Sequence, residues 1–173
     1  MSKSLQVAGV FIFTLFISLN TAASGSKDKD KDQLNSSQRA DVTYVFFNAN
    51  KEKILGNLNT AAELFAEVIR KDPKNAAAMY ELSRVYSDQK KYADALYFSK
   101  NAYKLSPQNV WYAMNYAEVL QHNDRYKESA EVYEQLIHDH PEEMNYYQEL
   151  ANAWIYAGDY SEGIKAYSRM EEQ

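Results

Sequence analysis

Residues 107–141, PQNVWYAMNYAEVLQHNDRYKESAEVYEQLIHDHP, begin and end on proline and hold no glycine between. A proline cannot continue a helix, and it disfavours helical geometry in the residue before it. The stretch therefore reads as one closed unit, with helices predicted over 109–123 and 126–139. Small Ala117 and Ser129 sit one on each helix, where two helix axes can approach closely. Rings at Tyr116, Tyr126 and Tyr133 fill the seam beside them.

The same unit recurs in both directions with a step of 34 residues. Prolines fall at Pro73, Pro107 and Pro141, making Asp72, Ser106 and His140 expected helix stops. One small-residue series runs Ala49, Ser83, Ala117, Ala151, and a second runs Ala61, Ala95, Ser129, Gly163. A Leu or ring recurs at Leu58, Tyr92, Tyr126 and Tyr160; Phe65, Tyr133 and Tyr167 share a further register broken by Ser99. Further helix pairs are predicted at 41–55 with 59–71, 75–89 with 92–105, and 143–157 with 160–172. In the second pair Leu82, Val85 and Tyr86 share one face, and Ala95, Leu96, Ala102 and Tyr103 share the facing one. Asp159 with Glu162 reads as a capping-box-like helix start. A fixed period of this length is the signature of a repeat array.

The register resembles the tetratricopeptide repeat. The matching residues are Leu82, Ser83, Tyr86, Tyr92, Ala95, Ala102 and Pro107 in the second unit. In the third they are Tyr116, Ala117, Leu120, Tyr126, Tyr133 and Pro141, and in the fourth Leu150, Ala151, Trp154, Gly158, Tyr160 and Tyr167. The first unit departs from the pattern at Asn48 and Glu52 and reads as a cap, since terminal repeats are atypical. The resemblance implies an all-α solenoid, an α-α superhelix of about four helical hairpins. Its repeats span about 42–75, 76–109, 110–143 and 144–173. It also implies that the first helix of each pair lines a concave groove that binds a protein or peptide. On that register the inner wall holds Phe46, Asn50, Ile54, Tyr80, Arg84, Asp88, Trp111, Met114, Glu118, His122, Gln148, Asn152 and Tyr156. Aromatics, a Met and scattered hydrogen-bonding groups suit an adhesive face; the competing reading is that Trp111 and Met114 pack between helices. Members that hold a chaperone's C-terminal carboxylates use Lys, Asn, Asn, Lys and Arg at fixed positions. Here those positions hold Phe46, Asn50, Glu81, Glu118 and His122, and only Asn50 matches. Such a tail is not an expected ligand, because Glu81 and Glu118 would repel it.

Outside the array, Lys3 is the only charge in the first 26 residues, and an apolar run from Leu5 to Leu19 leads to Asn20-Thr21-Ala22-Ala23-Ser24. This is the layout of a secretory signal peptide over residues 1–23, with cleavage after Ala23. The competing reading is an uncleaved anchor, for which the run is short of about 20 apolar residues. Export to a periplasm, an envelope or the medium is expected. Residues 24–40 read as a charged flexible linker, because Lys27-Asp28-Lys29-Asp30-Lys31-Asp32 alternates sign and has no apolar face.

The remaining chemistry is sparse. No cysteine is present, which excludes disulfides, thiol catalysis and zinc ribbons. The net charge is -5 with no basic stripe, so nucleic acid is not an expected partner. No Gly-rich phosphate loop or nucleophile elbow occurs. His138 and His140 flank Asp139 and point to different helix faces, which suits a solvated helix end better than a metal site. Neither a catalytic residue, a cofactor nor a metal is expected. The expected function is an exported scaffold or adaptor. The alternatives are an N-terminal non-catalytic module of a larger enzyme or receptor, and a self-assembling array joined through the C-terminal helix. Ile164, Tyr167 and Met170 lie at helical spacing on that helix, which has no successor to cover it.

Overall fold

The computed structural model describes residues 34–172. The expected leader, the Lys-Asp alternation and most of the expected linker lie outside the described residues. Among the described residues no helix is long and apolar enough to cross a membrane.

Among the described residues eight helices follow one another: α1 Ser36–Ile54, α2 Leu58–Lys71, α3 Ala76–Asp88, α4 Tyr92–Leu105, α5 Val110–His122, α6 Tyr126–Asp139, α7 Met144–Tyr156 and α8 Tyr160–Glu171. They form four antiparallel hairpins stacked in order, an α-α solenoid. Seven of the helices keep within about one residue of the bounds expected from the sequence. The exception is α1, which starts at Ser36 and so takes Ser36–Ala40 from the expected linker. Val42 and Val45 are buried and anchor the helix; once nucleated, it propagates through the exposed polar residues ahead of them at little cost.

The small-residue rows do what close approach requires. Ala49, Ser83, Ala117 and Ala151 are completely buried, as are Ala61, Ala95 and Ser129. At Gly163 the two helices of the last hairpin leave no room for a side chain: a Cβ there would stand 2.8 Å from Ile155 Cγ1 and 3.3 Å from the Ala151 carbonyl oxygen. Buried Leu82, Tyr116 and Leu150 repeat in one register, and Phe65 and Tyr133 repeat in another. Burial raises the Tyr133 hydroxyl well above the usual tyrosine range.

All four hairpins turn through the same backbone. Gly56, Lys90, Asp124 and Gly158 stand 34 residues apart and all have left-handed φ, at 79°, 59°, 58° and 81°. The amide after each closes back across the last turn: Asn57 to the Glu52 carbonyl, Lys91 to Tyr86, Arg125 to Leu120, and Asp159 to Trp154, at 2.8–2.9 Å. This is the Schellman helix end, which favours glycine because a Cβ is strained there. Two of the four turns carry that strain. Lys90→Gly is therefore expected to stabilise the fold by about 0.5–1 kcal/mol, the relief of left-handed strain less the extra freedom glycine gives the unfolded chain. Gly158→Ala is expected to cost about 1 kcal/mol. Urea midpoints of the two variants moving in the same direction would sink this account.

The turns between hairpins run through the prolines. Asp72, Ser106 and His140 cap the preceding helices with extended ψ of 86°, 70° and 67°. Asn75 and Asn109 then cap the next helices, accepting from the amides of Ala78 and of Trp111 and Tyr112. At the start of α8 the expected capping box is absent. Asp159 makes no side-chain cap bond, and Glu162 instead takes the ammonium of Lys165 one turn along.

Candidate binding groove

The first helices of the hairpins, α1, α3, α5 and α7, carry their register positions in rows, and the rows meet through specific contacts. Tyr80 of α3 packs on Tyr112 of α5 with ring centroids 5.1 Å apart. The Arg84 guanidinium lies over the same Tyr80 ring at 5.6 Å. Lys53 of α1 pairs with Glu81 of α3, both largely shielded from solvent. Buried Asn115 donates to Ser83 Oγ at 3.1 Å, and Ser83 donates on to the Ala95 carbonyl at 3.0 Å. These contacts fix adjacent first helices side by side. Burial pushes the Tyr112 hydroxyl up, with Tyr80 and Glu81 adding smaller effects, so it stays neutral.

A second contact repeats with a 30-residue offset. His122 at the end of α5 stacks on Tyr92 at the start of α4, centroids 4.5 Å apart and nearly parallel. Tyr156 at the end of α7 stacks on Tyr126 at the start of α6, at 5.5 Å. Beside the second stack is an open hollow of about 490 Å³, lined by Asp124, Arg125, Tyr126, Lys127, Glu128, Tyr156 and Ala157. Its Arg125 is held by both carboxylate oxygens of Glu128, which keeps the guanidinium firmly charged.

The expected groove residues divide into three groups. Trp111 is 68% exposed, and Arg84, Glu118, His122, Gln148 and Tyr156 are exposed as well. Ile54 and Asp88 are also open to solvent. Tyr80, Met114 and Asn152 are half-buried: Met114 packs on the core, and Asn152 accepts from the Tyr167 hydroxyl at 3.3 Å. Phe46 and Asn50 are engaged inside the first hairpin. Phe46 meets Phe65 edge-on at 5.6 Å, and Asn50 donates to the Phe46 carbonyl. Sequence reasoning left out Tyr112 and Lys53, which, with Asn115, bind one first helix to the next. The signal for Tyr112 was its place 34 residues before Tyr146, in a series that begins at Tyr44 and Ala78.

Trp111 and Met114, for which packing between helices was the competing reading, separate. The indole is open and the thioether is partly enclosed. His138 bonds to Asp139 at 2.9 Å at the exposed end of α6, and this contact, with Gln135, holds the Asp139 carboxyl below the usual range.

The family model described as "Tetratricopeptide repeat" matches residues 54–96 and 86–153. No curated protein matches the sequence. Among solved structures, one titled "Crystal structure of MamA" is 18% identical, with 91% of this chain and 95% of that chain covered and a TM-score of 0.69. MamA 41-end from Desulfovibrio magneticus RS-1 is 17% identical, with 83% and 76% covered and a TM-score of 0.67. At these identities the likeness is one of fold. With the repeat register, the hairpin geometry and the family match in agreement, the chain belongs to the tetratricopeptide repeat family.

Proposed function

We propose that this chain is an exported, non-catalytic scaffold that holds a protein or peptide partner along the face of its first helices. The observation that carries the reading is Trp111, which is two-thirds exposed although it sits beside the packed Tyr80–Tyr112 pair. A face that presents an open indole together with an exposed guanidinium and a second exposed ring has the composition of an interface. Arg84 on α3 and Tyr156 on α7 supply these on the first helices either side of α5. Glu118 is exposed on the same face and Glu81 is tied to Lys53, so the face lacks the cations that a carboxylate tail needs. The net charge of -5 argues against nucleic acid.

The test places a photo-crosslinker at Trp111 of the full chain in its native envelope, then compares Trp111→Ala for retention of the captured protein. Retention is expected to fall about tenfold or more with the melting temperature unchanged. Unchanged retention, or loss of the fold, removes the indole from the partner face.

Export has its own support in the apolar run before Ala22-Ala23. The protein made from its own start codon is expected to begin at or near Ser24. Finding Met1 or Ser2 on soluble protein by N-terminal sequencing would refute it.

A second reading, self-association through the C-terminal helix, is favoured by Ile164. It is 66% exposed where the same register position is covered in the first and third hairpins, at Ala62 and Ala130.

A further inference from the structure

The interface between successive hairpins has two halves. The receiving half lies on the earlier hairpin: the ring that opens its second helix, and the apolar position one turn on. Tyr92 and Tyr126 are half-buried under His122 and Tyr156, and Ala62, Leu96 and Ala130 follow in the second role. The incoming half lies on the next first helix. One of its positions holds Ala78, Tyr112 and Tyr146, and a second holds Glu81, Asn115 and Glu149. Contacts place both against the preceding hairpin: Tyr112 on Tyr80, Glu81 on Lys53 and Asn115 on Ser83. The last turn of that helix supplies the residue that stacks on the receiving ring.

Among the described residues α1 and α8 each leave one half open, and each open half is apolar. On α8 the receiving positions are Tyr160 and Ile164, both 66% exposed. On α1 the incoming positions are Tyr44 and Phe47, 67% and 68% exposed, and the stacking position is Ile54, 81% exposed. Lys51 stands where the interior carries Val85, Val119 and Ala153. At the start of α8 the receiving end carries Asp159, while Glu162 there is already paired with Lys165. The two open halves thus match in register and in apolar character.

We propose that the chain associates head to tail with a second copy of itself, α1 of one copy docking on α7 and α8 of the next and continuing the interior hairpin interface. In that arrangement Ile54 covers the partner copy's Tyr160 ring as His122 covers Tyr92. The inference rests on the self-association reading and extends it by naming the complementary surface and the polarity. A contact between two different surfaces does not close on itself as a twofold dimer does, so association continues into longer chains as concentration rises.

The absence of cysteine allows a clean test. Full-length Ile54→Cys and Tyr160→Cys proteins are prepared separately, checked for native helicity, and treated with a short bis-maleimide alone and as an equimolar mixture. The mixture is expected to give at least tenfold more crosslinked dimer than either protein alone, and Ile164→Glu in the Tyr160→Cys partner is expected to abolish it. Tyr160→Cys crosslinking to itself would overturn the head-to-tail polarity while leaving self-association through α8 standing. No crosslink in any sample, with a monomer mass at every concentration by light scattering, would overturn both. Neither result bears on the partner face at Trp111, which the retention experiment reads.

Discussion

Phe65→Ala is expected to cost the fold about 3–5 kcal/mol, the range for deleting a fully enclosed aromatic ring. Phe65 has no solvent exposure, sits midway along α2, and meets Phe46 of α1 edge-on at 5.6 Å. Its neighbours in the same helix, Ala61, Ala62 and Val68, are small or short and cannot swing in to fill the space. The lost term is therefore transfer of the ring plus a lasting cavity, together with the aromatic pair. Domains of this kind hold only about 5–15 kcal/mol in total, so the first hairpin should detach well before the rest. Urea unfolding followed by circular dichroism should show an early separate transition. A loss below about 1 kcal/mol would mean that the first hairpin does not pack as described.

Ala95→Leu is expected to cost about 1–3 kcal/mol for the opposite reason, overpacking. Ala95 is completely enclosed, and its carbonyl accepts from Ser83 of the facing helix at 3.0 Å. The equivalent Gly163 lies so close to α7 that even a methyl would press on Ile155, so this register marks the tightest part of a hairpin. The control is Ala93→Leu, two residues earlier on the exposed face of α4, which should stay within about 0.5 kcal/mol. Equal melting temperatures for the two variants would contradict the register.

What was legible in the sequence was whatever the backbone imposes at every repeat. Prolines at 73, 107 and 141 fixed the helix ends, and the small residues marked where axes approach, because neither role tolerates substitution by a larger or more ordinary residue. The hairpin turns were harder to read. Gly56 and Gly158 are visible as punctuation, but Lys90 and Asp124 hold the same left-handed backbone without glycine and so hide the series. Asparagine caps at Asn75 and Asn109 also went unread, while the capping pair that the sequence suggested at Asp159 and Glu162 lost its second partner to Lys165. The groove was legible only as a set of positions. Whether a ring at those positions faces outward depends on what lies across the seam. In the first hairpin Phe46 finds Phe65 and turns inward; in the second the corresponding residue is Ser99, and Tyr80 packs on Tyr112 across the repeat boundary. That choice belongs to pairs of residues distant in sequence, which periodicity along one helix does not report.

The helices pack chiefly on their neighbours in sequence, and first helices touch across one repeat, as α3 does α5. Joints arranged in this way act like springs in series. A rotation of a degree or two at each adds along the array, so the distance between Asn50 on the first hairpin and Tyr156 on the fourth can be drawn in or let out with little strain at any single joint. The scaffold is then stiff across each hairpin and compliant along its length. A long partner could set the pitch of the surface that holds it, and every added repeat would soften the whole.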